Sequence, residues 1–266
     1  MAGRTGFPLS PRSAPGHVPS RRTRTTREPG APVPLIALAL FDGFTALDAI
    51  GPYEMLCRVP GARTVFVADR PRPVLADRGE VTLGATHAYE DVAAPDLLLV
   101  PGGPGQSAHM TDPALLGWLR AADARTRWTT SVCTGALLLA AAGLLTGRRA
   151  TTHWLFPDVL REYGAEPVAE RVVRDGKYVT AAGVSAGIDM GLALVGELAG
   201  RARAEEVQLA TEYDPEPPYD AGSPAKAPAA LVARLRAGRR PVVDDGTYSP
   251  VRAARPGAVS EGRRDE

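Results

Sequence analysis

Only two of the 266 residues are cysteine and only four are histidine. Two thiols, Cys57 and Cys133, cannot build the disulfide framework of a small secreted scaffold, and they lack the close pairing of a metal-binding motif. The expectation is therefore a reducing, cytoplasmic setting, with no metal and no organic cofactor. An excess of charge of one sign is missing too: 31 Lys and Arg stand against 30 Asp and Glu, a net charge of +1. That removes any global electrostatic case for nucleic acid or an anionic membrane as partner. No apolar run approaches the ~20 residues that a bilayer-spanning helix needs. What is present, 44% hydrophobic and 23% charged residues, is ordinary globular composition with enough apolar material for a substantial core.

Proline and glycine are plentiful, but much of the proline lies in the tails and connections. The first 33 residues hold six arginines among Pro, Ser, Thr and Gly. They read as a disordered basic tail. The stretch SRRTRTT within it could pass for a twin-arginine export signal. The apolar run that follows, PLIALALF, fits better as the first core strand, and no small-residue cleavage site separates it from the fold. The expected organisation is a tail over 1–33, one folded domain over 34–228 and a second, largely disordered tail over 229–266.

Inside the domain, apolar runs of strand length alternate with helical periodicity. PLIALALF (34–41), TVFVAD (64–69), DLLLVPGG (96–103) and WTTSVC (128–133) read as buried strands. LDAIGPYEMLCRV (47–59) reads as a helix in which Pro52 fixes an early turn. DPALLGWLRAADART (112–126) opens with an Asp cap and Pro at the first helical position. PVLAD and VTLGAT (73–86) predict a short hairpin, as does ERVVRDGKYVTAAG (170–183) about Asp175-Gly176. Helices follow at 134–145, 156–164, 185–200 and 204–213. Strands separated by helices predict an α/β three-layer sandwich, a mainly parallel sheet with helices on both faces.

In such a sheet, chemistry gathers at the carboxyl ends of strands. Cys133 stands there, in TSVCTGALLLAAAGLL, where a β-branched run meets a helix. A residue at a sharp strand-to-helix turn is presented outward, and Gly135 and Ala136 leave room for the turn. The helix amino terminus would lower the thiol pKa and favour the nucleophilic thiolate. Backbone N–H groups beyond Gly102 and Gly103, at another strand end, could face developing negative charge. A buried structural cysteine is the alternative. Asp48 reads either as a helix cap or as a carboxyl aimed at the thiol. His153 reads as a base or as a structural histidine, and Asp189 as a helix-start residue. Cys57 reads as a small core residue.

Taken together, ALDAIGPYEML, LLLVPGGPG, TSVCTGALLLAAAGLLTGRRATTHW, ERVVRDGKYVTAAGVSAGIDMGLAL and VQLATEYDPEPPYDAGSP resemble the ThiJ/PfpI branch of the class I glutamine amidotransferase-like superfamily. Within it they are most similar to the isonitrile-hydrating members. The resemblance runs from about residue 34 to 225. It implies a flavodoxin-like sandwich and a homodimer, with Cys133 as nucleophile and Asp48 as the carboxyl facing it. Better-known members of the superfamily use glutamate in that role. Thr134 stands where PfpI-type proteases carry histidine, which argues against a Cys-His proteolytic dyad. Ala181-Ala182 stand where the hydrating members more usually carry glycine, a difference that bears on pocket shape.

The activity implied is hydration of a small-molecule isonitrile to an N-substituted formamide through a covalent thioimidate on Cys133. Asp48 would carry the proton, and burial beside a thiolate should raise its pKa. Gly102, Gly103 and Val184 would hold substrate and developing charge. The Thr134 hydroxyl would hold water or the sulfur, and His153 would be accessory. Two other readings accompany this one. One is a glyoxalase- or deglycase-like thiol enzyme. The other is a redox or ligand sensor related to the sensor domains of AraC-type regulators, whose DNA-binding helices need roughly 100 further residues.

Overall fold

The computed structural model of the protein describes residues 34–238. The expected N-terminal tail, and the expected C-terminal tail beyond Gly238, lie outside the described residues. In chain order the elements are β1 (Leu35–Ala39), α1 (Ala46–Leu56), β2 (Arg63–Ala68), β3 (Arg72–Leu75), β4 (Thr82–Ala85), β5 (His87–Ala88), β6 (Leu97–Val100), α2 (Gln106–His109), α3 (Pro113–Asp123), β7 (Trp128–Val132), α4 (Gly135–Ala141), β8 (Arg149–Ala150), α5 (Pro157–Glu162), β9 (Glu166–Pro167), β10 (Val172–Asp175), β11 (Tyr178–Ala181), α6 (Ala186–Ala199), α7 (Arg201–Ala210) and α8 (Ala229–Ala237).

Seven strands form one sheet in the order β10-β11-β7-β6-β1-β2-β5. Every pairing in it is parallel except β10 with β11, the predicted hairpin. Every residue of β6 and β7 is buried, whichever way its side chain points. Helices cover both strands on both sides, and β6 reads as an unbroken apolar run for that reason, while β7 buries Thr129, Thr130 and Ser131. One group of helices, α2, α3 and α5, gathers about α4, and a second joins α1, α6 and α7. The hairpin β3–β4 forms as expected, apart from the main sheet.

The strand order matters for function. From β1 the chain crosses to β2 on one side, then returns to β6 on the other. Connections leaving the carboxyl ends of β1 and β6 therefore diverge, opening a crevice at a topological switch point. The loop after β1 leads into α1, and the loop after β6 carries Gly102 and Gly103.

Three local features differ from the sequence expectation. Pro52 lies past the middle of α1, not in an early turn. There it withholds the N–H that would bond the Asp48 carbonyl, and the helix continues because it packs tightly on α6, with a Cβ at Gly191 able to come only 3.0 Å from Pro52 Cα. Cys57 caps α1 half-buried, with its Sγ 3.6 Å from the Glu54 carbonyl, so it is not a core residue. The third is α8, whose nine residues fall in the stretch assigned to the C-terminal tail.

Candidate active site

β7 ends at Val132, and the next residue turns sharply. Cys133 has φ of +56°, a left-handed conformation that L-residues other than glycine rarely adopt and that costs ~1–2 kcal/mol. The surroundings hold it there. Its N–H donates to the Ala181 and Ala182 carbonyls at 3.0 and 2.8 Å, and its own carbonyl accepts from Thr152 Oγ1 at 3.0 Å. The turn is tight enough to require glycine on both sides of the crevice. A Cβ at Gly135 would stand 2.2 Å from the Val100 carbonyl, and one at Gly102 would stand 2.4 Å from Thr134 N. The strand–Cys–Thr–Gly pattern is thus a strained elbow that presents the thiol at the head of α4.

Asp48 comes from the first turn of α1 and is fully buried. Its Oδ2 accepts the Gly102 N–H at 2.9 Å, and the carboxyl also interacts with the Cys133 thiol. Oδ1 has no hydrogen-bond partner among the described residues. Burial pushes the Asp48 pKa up to about 7, against the pull of the Gly102 N–H and the thiol. The rise matches the sequence expectation.

The thiol does not behave as the sequence suggested. Burial and then the Asp48 charge push the Cys133 pKa up, while the backbone N–H groups of Thr134 and Val184 pull it down. A helix amino terminus contributes only ~0.3–1 kcal/mol, which is less than the cost of desolvating a thiolate beside a carboxylate. Cys133 therefore rests as a thiol next to a carboxyl group, and the pair titrates as a unit. It can release a thiolate when a proton leaves for substrate.

Thr134 is buried, and its hydroxyl accepts the Gly103 N–H at 2.9 Å and lies 3.4 Å from the Gly103 carbonyl. It fastens the loop after β6 and is not directed at sulfur. The Gly102 and Gly103 N–H groups are taken by Asp48 and Thr134. They shape the crevice, and the donors aimed at sulfur are those of Thr134 and Val184.

Cys133, Thr134, Gly103, Val184 and His153 line one cavity of about 240 Å³; Asp48 and Gly102 sit behind this wall. The rest of the wall, Thr45, Pro104, Gln106, Ser107 and Phe156, was not anticipated. Position was the available signal: all but Phe156 follow the carboxyl end of β1 or β6. Among the described residues no Asp, Glu, Lys or Arg lines the cavity. Asp189 lies outside it, paired with Arg171 and accepting from Tyr213 Oη at 2.5 Å. Among the described residues no group of three or more His, Cys, Asp or Glu could hold a metal ion, and no helix is long and apolar enough to cross a membrane.

A strained elbow cysteine over a buried carboxyl, at the switch point of a flavodoxin-like sheet, defines a class of proteins. Residues 35–197 match the DJ-1/PfpI family, and the chain belongs to that family. More particularly, it is 44% identical over 219 residues to isonitrile hydratase of Pseudomonas putida, a match covering 82% of this chain and 96% of that enzyme. It is 37% identical over 137 residues to the HTH-type transcriptional regulator CdhR of Pseudomonas aeruginosa, covering 51% of this chain and 40% of the regulator. Among solved structures, a ThiJ/PfpI family protein from Pseudomonas syringae superposes with a TM-score of 0.77 at 38% identity, covering 84% of this chain and 93% of that one.

Proposed function

We infer that the protein is an isonitrile hydratase, converting R–N≡C to an N-substituted formamide. The observation that carries this reading is the Cys133–Asp48 pair: a thiol in the wall of a cavity that no charged side chain lines among the described residues, and behind it a carboxyl whose pKa is raised to about 7. Similarity to the Pseudomonas putida enzyme extends over nearly the whole of that protein and points the same way.

In the proposed reaction the Cys133 proton passes to Asp48, and the thiolate attacks the terminal carbon of the isonitrile. Asp48 then protonates that carbon, leaving a thioimidate, R–N=CH–S–Cys133. A carboxyl titrating near neutrality suits both halves of this exchange, since it both takes and returns a proton at working pH. The Thr134 and Val184 N–H groups stabilise the thiolate whenever it forms. Gly102 and Gly103 act through the shape of the loop, and Thr134 through its hydroxyl on Gly103.

The cavity also bears on the glyoxalase or deglycase reading. The wall offers no cation or anion among the described residues, which suits a neutral substrate and leaves a charged, glycated one without a counter-ion there. The deciding experiment incubates the protein and its Cys133→Ala variant with cyclohexyl isonitrile and follows formamide by NMR. Formamide from the unaltered protein alone is expected. Equal background rates would sink the reading, and consumption of methylglyoxal in place of isonitrile would favour the deglycase. The same reading includes a homodimer, which light scattering in solution checks.

A further inference from the structure

His153 lines the same cavity as Cys133, and the thiol–carboxyl chemistry leaves it without a task. Its loop is firmly placed. The Thr151 N–H donates to Thr180 Oγ1 at 2.8 Å, and the Thr152 hydroxyl donates to the carbonyl of Cys133 itself at 3.0 Å. The Trp154 and Phe156 rings both stand tilted against the imidazole, each centroid 5.9 Å away. One edge rests on Gly183, where a Cβ would come within 3.3 Å of Cδ2. Gly183 immediately precedes Val184, whose N–H meets the sulfur.

The hydrogen bonding of the ring fixes its proton. The Leu155 N–H donates to Nδ1 at 3.3 Å, so Nδ1 is an acceptor and carries no hydrogen. Burial lowers the ring's pKa, which keeps it neutral. The one proton of the neutral ring is then on Nε2, which has no hydrogen-bond partner among the described residues. The ring can offer the cavity a donor and no base. Among the described residues no charged side chain lines the cavity, and the titratable groups beside the ring are Cys133 and, behind it, Asp48.

The chemistry of the reaction supplies an acceptor at one stage only. In an isonitrile the nitrogen pair is committed to the triple bond, so the nitrogen accepts nothing. Once sulfur has added and the carbon is protonated, the nitrogen of R–N=CH–S–Cys133 carries a free sp² pair. We propose that His153, seated in the cavity wall as its Nε2–H tautomer, donates a hydrogen bond to this imidate nitrogen and is not the base. The role rests on the hydratase reading. A donor with no acceptor in the substrate and one in the adduct binds the later state selectively, so it acts on kcat. No bond to the imidazole forms or breaks. Water adds its oxygen to the carbon, one of its protons goes to nitrogen, and the other returns to sulfur through Asp48 as the C–S bond breaks.

The test compares His153→Gln, which keeps a neutral donor, with His153→Phe, which keeps the bulk and removes the donor. With cyclohexyl isonitrile, kcat of the Phe variant should fall about tenfold to a hundredfold while KM changes less than about threefold; the Gln variant should stay within about fivefold of the unaltered protein. Equal loss in both variants would indicate a base, and full activity in the Phe variant would indicate no role; either overturns the donor. Long-range ¹⁵N–¹H spectra of histidine-labelled protein read the tautomer without substrate. A protonated Nε2 is expected, and a protonated Nδ1 refutes the assignment. No formamide from the unaltered protein removes the hydratase reading and this role with it, whereas formamide formation with indifferent variants removes this role alone.

Discussion

Two buried aspartates sit at opposite ends of the central sheet, and their surroundings could hardly differ more. Asp123, at the end of α3, accepts from Thr129 Oγ1 at 2.6 Å and from Tyr178 Oη at 3.1 Å, and pairs with Lys177 Nζ at 3.1 Å. Asp48, at the other end, has one backbone N–H, one thiol and a carboxyl oxygen without a hydrogen bond. The amino-terminal end closes its polar group into a fully partnered cluster that joins a helix to two strands. The carboxyl-terminal end leaves its polar group short of partners, so burial drives the pKa to about 7. Burial alone therefore assigns no role to an aspartate. The number of its hydrogen bonds separates a structural group from one poised to exchange a proton.

The largest effect expected from disturbing this contrast is chemical. Cys133→Ala should lower formamide production at least about a thousandfold, read by NMR, with folding intact by circular dichroism. Asp48→Asn should cost at least about a hundredfold in kcat and yet stabilise the protein. The folded pKa of about 7 lies above the ordinary 3.8, so the folded state holds the extra proton between those values and stability falls as pH rises through that window. The Asn variant escapes this loss: denaturant titration should find it more stable by up to about 4 kcal/mol at pH 8, and the difference should vanish near pH 4. Asp123→Ala should do the reverse, costing about 3 kcal/mol of stability while kcat at a permissive temperature changes little. An Asp123 variant that lost activity without losing stability would break the contrast. Smallest, Thr134→Val removes the hydroxyl that accepts the Gly103 N–H and should cost about 1–2 kcal/mol, with roughly a tenfold fall in kcat.

The strands were legible because a sheet covered on both faces favours apolar and β-branched runs: PLIALALF and LLLV are apolar throughout, and WTTSV is rich in β-branched residues, its Thr129, Thr130 and Ser131 being buried all the same. The elbow was legible for a related reason: a polar residue between such a run and a helix has few other places to be. Hydrogen-bond assignments were not. TSVCTG does not reveal that Thr134 turns to Gly103, nor LLLVPGG that both glycine N–H groups are already engaged, because those partners lie far along the chain. The thiol pKa was misjudged for the same reason. Proximity to a helix terminus is visible in sequence, and Asp48 was expected opposite the thiol, whereas the depth of burial, the largest cause of the rise, is a tertiary fact. Pro52 was misplaced because its packing on α6 overrides its local preference. The nine residues of α8 carry helix-forming Ala, Leu and Arg, but their composition had been read with the tail that follows.

The way the elbow is held has a consequence for how the protein matures. Asp48 meets the Gly102 N–H across 54 positions of chain, and Thr134 meets Gly103 across 31. Cys133 is pinned by the Ala181 and Ala182 carbonyls, from a strand formed later in the sequence. Contacts of such separation form only when loop closure across most of the domain has been achieved. A nascent or partly collapsed chain would thus carry an ordinary cysteine, with neither its left-handed backbone nor its carboxyl partner. The catalytic geometry arrives together with the last native contacts, and with it the burial that holds the sulfur as a thiol, so loss of reactivity toward general thiol reagents reports completed folding.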